Sequence, residues 1–395
     1  MPDSASAKRR DLAPLRHLPR SVALNYLRQA LDPCPGGSAR SRGAALLAAL
    51  GSYARARLGP RHALAGYGPQ TPGQGLYALA GEEAGVRVAL AGDWASGTDE
   101  AQAVARAMAA ADPHFTIHLG DVYYVGDESE VRSSMLGERT SCYEPTRWPR
   151  GSVGSFALNG NHEMYARGRA YFDVLLPALG LSAGGAQRAS FFCLENADWR
   201  MLALDTAYHS VGWPLLEELP FAPCAVSNGL GAAQLRWLEA SVRPGADRRG
   251  LVILAHHSPY GRGGRRLSRP ALQLRKLIGR PVLWFFGHEH RLAVYDRFEG
   301  GAGLTVWGRN VGHGGMPVER PAGPAGGHPP LMFTDARSYP NDEGLELGYN
   351  GYAVLSFTGR QLAIEYRDLE GEVVYRERWE TADGDLRPLS GSAAP

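Results

Sequence analysis

Five apolar runs along this chain each break into residues that can bind a metal, and four of the five do so through a glycine. "ALAGD" ends at Asp93, "HLGD" at Asp121, and "ALNGNHE" at Asn161, His162 and Glu163. "VILAHH" ends at His256 and His257, and "WFFGHEH" at His288 and His290. Short runs rich in Val, Ile, Leu and Phe read as strands buried on both faces. In an α/β fold the C-terminal ends of neighbouring strands converge on one edge. The glycine permits a sharp turn that can aim the next side chain inward. One Asp at a strand end is more often a turn or a helix cap. Independent solvent residues have no reason to fall at five successive strand ends, so the series constrains the fold more than any member of it.

Between these runs lie helical patterns. "TDEAQAVARAMAAAD" predicts a helix capped by Thr98 or Asp99, and "GAAQLRWLEASV" and "PALQLRKLIG" predict two more. "ASFFCLEN" and "WRMLALDT" read as paired strands. After "WFFG" the chain is strand-rich, from "AVYDRFEG" through "GLTVWG", "YNGYAVLSF" and "QLAIEYRD" to "EVVYRERW". Strand–helix alternation followed by hairpins predicts an α/β fold of two packed mixed sheets with helices outside.

Residues 1–80 differ. "SVALNYLRQAL" and "GAALLAALGSYARARL" have helical spacing, and the Gly/Pro-rich "GYGPQTPGQG" follows as a linker. We expect an N-terminal helical extension over 1–80, a core domain over 81–380, and a disordered tail over 381–395. The N-terminal helices offer a surface for a protein partner. The first residues carry charge without the apolar stretch of a signal peptide, which predicts a cytoplasmic protein with no membrane association. Formal net charge is +2, too small to predict a nucleic-acid groove that works by releasing counterions. Of the four cysteines, Cys193 reads as a core residue; a Cys142–Cys224 disulfide is conceivable, but the sequence does not establish it.

Taken in order, GD…GDxxY…GNHE…HxP…GHxH resembles the calcineurin-like metallophosphoesterases across residues 93–290 and the strands that follow. The resemblance implies a four-layer arrangement, two sheets flanked by helices, with two metal ions bridged by a carboxylate. In most of that superfamily the first motif is D-x-H, whereas here it reads Asp93-Trp94-Ala95, and Ala95 cannot ligate. Tyr124, three residues after Asp121, matches the tyrosine of the purple acid phosphatase branch, which the paired change resembles. Tyr123 is then left as a packing residue.

Carried over by motif, one metal is expected on Asp93, Asp121, Tyr124 and His290, and the second on Asp121, Asn161, His257 and His288. A phenolate suits Fe(III), and the His/Asn set suits Fe(II), Zn or Mn. The implied reaction is hydrolysis of a small phosphoester. A metal-bound hydroxide attacks phosphorus, Asp121 bridges, and His162 is the general acid. Asn161 and His162 are placed to bind the phosphate. His256 remains an alternative to His257, which is favoured because Ser258-Pro259 follows it. Arg262, Arg265 and Arg266 in "YGRGGRRLSRP" either grip phosphate or form a solvated basic loop. His313 in "NVGHGGMP" either faces the cleft or belongs to a plain turn. The rival readings are a non-catalytic, metal-stiffened binding module and a nuclease of the same fold.

Overall fold

The computed structural model describes residues 58–67, 74–81, 85–140, 144–210, 229–261, 263–299, 303–318, 329–340 and 346–393. The two predicted N-terminal helices lie outside these residues, except for Leu58 at the end of the second. Cys34, Cys142, Cys224 and Arg262 also lie outside them.

The strands of the first half are β1 (Leu76–Ala78), β2 (Val86–Ala91), β3 (Phe115–His118), β4 (Gly154–Ala157) and β5 (Gly180–Leu181). Then come β6 (Phe192–Glu195), β7 (Trp199–Leu204), β8 (Gly250–Ala255) and β9 (Val282–Phe286). β10 (Leu292–Glu299), β11 (Thr305–Val311), β12 (Leu331–Phe333), β13 (Ser338–Pro340) and β14 (Glu346–Gly348) follow. The last four are β15 (Gly351–Thr358), β16 (Gln361–Asp368), β17 (Val373–Ala382) and β18 (Asp385–Ala393). One eight-stranded sheet runs β18-β17-β16-β15-β2-β3-β4-β5; another runs β1-β6-β7-β8-β9-β11-β10-β12. Within them β2-β3-β4 and β7-β8-β9-β11 are parallel, so their C-terminal ends open on one side.

Apolar residues of both inner faces, among them Val88, Leu90, Ile117, Phe156, Met201, Leu254 and Phe285, form the core between the sheets. The outer face of the first sheet packs on α1 (Asp99–Ala110) through Ala101, Val104 and Met108. That helix starts where Thr98 accepts a hydrogen bond from the Ala101 N–H at 3.1 Å. The outer face of the second sheet is covered by α4 (Ala232–Trp237) and α5 (Arg269–Ile278). Two further short helices, α2 (Glu128–Ser134) and α3 (Asn161–Tyr165), lie beside the strand ends. Helix, sheet, sheet and helix make the four expected layers. A buried ion pair, Arg309 on β11 with Glu377 on β17 at 2.7 Å, ties the sheets together. Removing either partner leaves a charge without compensation, at a cost of about 3–5 kcal/mol.

Two expectations about the ends are corrected. The tail expected to be disordered is β18, which pairs antiparallel with β17 from Asp385 through Ala393. Asp383 and Gly384 both take positive φ, 51° and 84°, as a tight Asp-Gly hairpin turn requires. Of the segment read as extension and linker, the described residues 58–67 and 74–78 are also part of the body. β1 pairs with β6, Tyr67 donates to the Phe191 carbonyl at 2.8 Å and packs on Trp237, and His62 stacks on Phe172 at 4.5 Å. A chain beginning at Gly73 is expected to fold, yet to be less stable by about 1–3 kcal/mol than one beginning at Gly59, because it lacks Tyr67. Paired thermal denaturation curves measure this, and superimposable curves would remove the segment from the core.

Candidate metal centre

The loops after β2, β3, β4, β8 and β9 meet at one point, and glycines allow them to approach. A Cβ on Gly160 would stand 2.0 Å from Asp121 Oδ1, and one on Gly287 would stand 2.5 Å from Asp93 Oδ2. Close approach, more than turning, is what those two positions need. The side chains beside them take the conformational cost. Asp93, Asp121 and His288 all sit at positive φ (57°, 73° and 69°), a region such residues enter at functional sites. Asp93 is held there by the His288 N–H, which donates to Oδ2 at 2.7 Å.

Asp121 is the hub. Its Oδ1 accepts the His162 N–H at 3.0 Å, and its Oδ2 faces His256 Nε2 at 3.4 Å and His162 Nε2 at 3.7 Å. Burial opposes its charge, but His162 and His256 hold its carboxyl well below the usual carboxylate range. Glu163 supports it from behind: one carboxyl oxygen accepts both the Asp121 and the Gly160 N–H, at 3.1 and 2.9 Å. Burial, and then the Asp121 charge, push the Glu163 carboxyl up to about 8.

His256 answers the question left open by the adjacent histidines. Its Nδ1 lies 3.0 Å from the Leu119 carbonyl and must donate to it. Its Nε2 then faces Asn161 Oδ1 at 3.1 Å and Asp121 Oδ2 at 3.4 Å. Without a metal these atoms meet through a proton on Nε2; a metal ion is the other group that can join one imidazole nitrogen to two oxygens. Burial disfavours a proton on His256, yet Asp121 holds one there, with the imidazole pushed up to about 9. His256, the alternative to His257 in the sequence, thus has a ring nitrogen among the candidate ligands. His257 also enters the centre: its Nδ1 pairs with Thr206 Oγ1 at 3.0 Å, while its buried Nε2 has no hydrogen-bond partner. A hydrogen bond on one ring nitrogen is the usual way to aim the other at a metal.

Two clusters have ligand atoms within 4.8 Å of one another, His256 with His257 and His288, and Asp93 with Asp121 and His256. The donor set, mixed oxygen and imidazole with a shared member, fits two cations of the hard to borderline kind.

Tyr123, read from the sequence as a packing residue, has its hydroxyl among the candidate ligands. The Tyr123 hydroxyl lies 2.8 Å from Asp93 Oδ1, 3.3 Å from Asp121 Oδ2 and 2.9 Å from His290 Nε2. Burial and the two facing carboxylates push this phenol far above its ordinary pKa. Tyr124 is buried too; its N–H donates to Glu130 at 2.6 Å, and its carbonyl accepts from His162 Nδ1 at 2.6 Å. Tyr123 is anchored by the residue whose side chain is missing, because its N–H donates to the Ala95 carbonyl at 3.1 Å. The spacing held no signal for this, because Asp121 is at positive φ and Tyr123 and Tyr124 lie in a turn, where strand alternation does not apply.

Of the other sequence candidates, Arg265 and Arg266 are exposed and do not line the cavity beside the cluster. His313 does not face that cavity either. It is buried, its Nε2 packs near Gly351, its carbonyl accepts from the Asn350 side chain, and burial pushes its imidazole down to about 4. Sequence reasoning missed the support given by Glu163 and Thr206. It also missed the cavity itself, of about 320 Å³, whose walls come from three separate loops.

Against known proteins, the calcineurin-like phosphoesterase family model matches residues 86–292, just over half of the chain. No curated protein matches it in sequence. Among solved structures, a purple acid phosphatase from yellow lupin (Lupinus luteus) seeds is similar over 75% of this chain and 53% of its own, at 14% identity and TM-score 0.44. The chain thus spans about half the length of that phosphatase. PhoD is similar over 80% of this chain and 73% of its own (12%, TM-score 0.49). GAP50, the anchor in the inner membrane complex of Plasmodium, is similar over 75% and 89% (12%, TM-score 0.45). Among the described residues no helix is long and apolar enough to cross a membrane. The His/Asp clusters lie within the residues that the family model matches. By the extent of the family match, this chain belongs to the calcineurin-like phosphoesterases.

Proposed function

We propose that this protein is a two-metal phosphoric ester hydrolase. The observation that carries the reading is the pair of clusters that share His256, one with His257 and His288 and one with Asp93 and Asp121, each with its ligand atoms within 4.8 Å of one another. Asp93, Asp121, Tyr123 and His290 would hold the first ion, and Asp121, Asn161, His288 and the His256–His257 pair the second. The first set is rich in anionic oxygen and suits Fe(III); the second suits Fe(II), Zn or Mn. When bound, such ions neutralise phosphoryl oxygens and lower the pKa of water.

The chain's own residues do the rest. Asp121 joins the two sets. Glu163 holds the Asp121 and Gly160 loops at fixed separation, and Thr206 fixes the His257 ring. His162 keeps Nδ1 on the Tyr124 carbonyl, which leaves Nε2 turned toward the reacting side near Asp121. Protonated there, it can give a proton to the departing oxygen. The test is metal analysis together with hydrolysis of a nitrophenyl phosphate and its bis-ester. We expect about two metals per chain and turnover that a chelator abolishes and metal restores. Full turnover by metal-free protein, or a metal-loaded protein that hydrolyses neither ester, would overturn the reading.

A further inference from the structure

The cavity of about 320 Å³ shares two walls with the proposed metal centre, His257 and His288. Its remaining walls include Tyr260, Tyr295, Glu289 and Arg291. A phosphoryl group held at the centre therefore has one built recess beside it for the group esterified to it. The volume is at the small end of ligand pockets, enough for a single ring or a short polyol.

The chemistry of the walls narrows the class. Arg291 donates from Nη2 to Glu289 at 2.5 Å and to the Tyr295 hydroxyl at 2.9 Å, and from Nε to the same Glu289 oxygen at 3.1 Å. These bonds fix the guanidinium and leave Nη1 uncommitted. They use one Glu289 oxygen and leave the other as an acceptor. The ion pair cancels its own charge, and among the described residues that line the recess no other Arg or Lys adds a surplus cation to favour a second anionic group. The tyrosines add flat apolar surface, and Tyr260 is held in place by the Gly308 N–H, which donates to its hydroxyl at 2.9 Å.

We infer that this recess binds the alcohol portion of the substrate, a neutral hydroxylated or heterocyclic group that accepts from Arg291 and donates to Glu289. The inference rests on the phosphoesterase reading and assigns it a specificity. A site without such a recess would treat esters of equal chemical reactivity alike, whatever hydroxyls they carry.

The experiment compares kcat/KM for glycerol phosphate and ethyl phosphate, both alkyl monoesters with poor leaving groups. The wild type should favour glycerol phosphate. Arg291→Met keeps the length of the side chain but removes its donors, and should reduce that preference by about tenfold, the size of one hydrogen bond. Glu289→Gln and Tyr295→Phe should reduce it in the same direction, the latter less, because it only loosens the guanidinium. Metal content of each variant shows whether neighbouring His290 and His288 are intact, and a variant that loses metal is replaced by the next of the three. Hydrolysis of both esters without preference, or a preference untouched by all three changes, would overturn the recess as a specificity site while the phosphoesterase reading stands. Failure to hydrolyse the two alkyl esters and every nitrophenyl ester would overturn both.

Discussion

Tyr123→Phe is expected to bleach the iron-loaded, oxidised protein, and Tyr124→Phe is expected to leave its colour intact. Tyrosinate bound to Fe(III) absorbs visible light by charge transfer, so the colour reports which oxygen ligates. The Tyr123 hydroxyl touches Asp93, Asp121 and His290, the three other members of the proposed set. In the absence of a cation, burial and then the two carboxylates oppose its ionisation; a trivalent ion reverses that balance. Phe keeps the buried ring and removes one oxygen, so packing is nearly preserved while an anionic ligand is lost. Affinity for the first ion should fall by more than the roughly 10–100-fold seen when only a hydrogen-bond partner of a ligand is removed. The comparison needs protein reconstituted with iron, since Zn or Mn on the same residues is colourless. Colour lost with Tyr124 and kept without Tyr123 would reinstate the motif-based assignment. A colourless wild type with stoichiometric Fe(III) would remove tyrosine from the ligand set.

His162→Ala should leave both metals bound and slow hydrolysis of alkyl esters by about 100- to 10,000-fold, the usual contribution of general acid catalysis. Nitrophenyl esters should lose much less, because nitrophenolate leaves without a proton. Retention of metal is expected because the contact of residue 162 with Asp121 Oδ1 is made by the backbone N–H, which alanine keeps. The ring itself packs on Tyr123 and Tyr165, with centroids 4.4 and 4.8 Å away, so a purely structural role is a real competitor. The two are separated by leaving-group dependence. Equal loss for alkyl and aryl esters would make His162 a packing residue, and loss of metal would make it a support for the site.

Much of this protein was determined by its sequence alone. Apolar runs that end in Gly-Asp, Gly-Asn and Gly-His identified the strands, the edge where their ends meet and most of the side chains found there. Those signals are local, since strand period, turn residues and Thr98 as a helix cap each depend on a few neighbours. The order of the motifs did the rest. Tertiary structure decided what depends on distance between separate loops. Tyr123 and Tyr124 are the same residue type one position apart, and only the approach of the Asp93 and His290 loops selects between their hydroxyls. His256 and His257 would face opposite ways inside a strand; both reach the centre because β8 ends at Ala255 and the backbone is free to turn. Arg265, Arg266 and His313 have the right chemistry in the wrong place, which composition cannot reveal. β18 was misread because its polar composition resembles disorder, and Tyr67 because it lies in a Gly/Pro-rich run read as a linker, while their stability comes from partners far along the chain, β17 for one and Phe191 and Trp237 for the other.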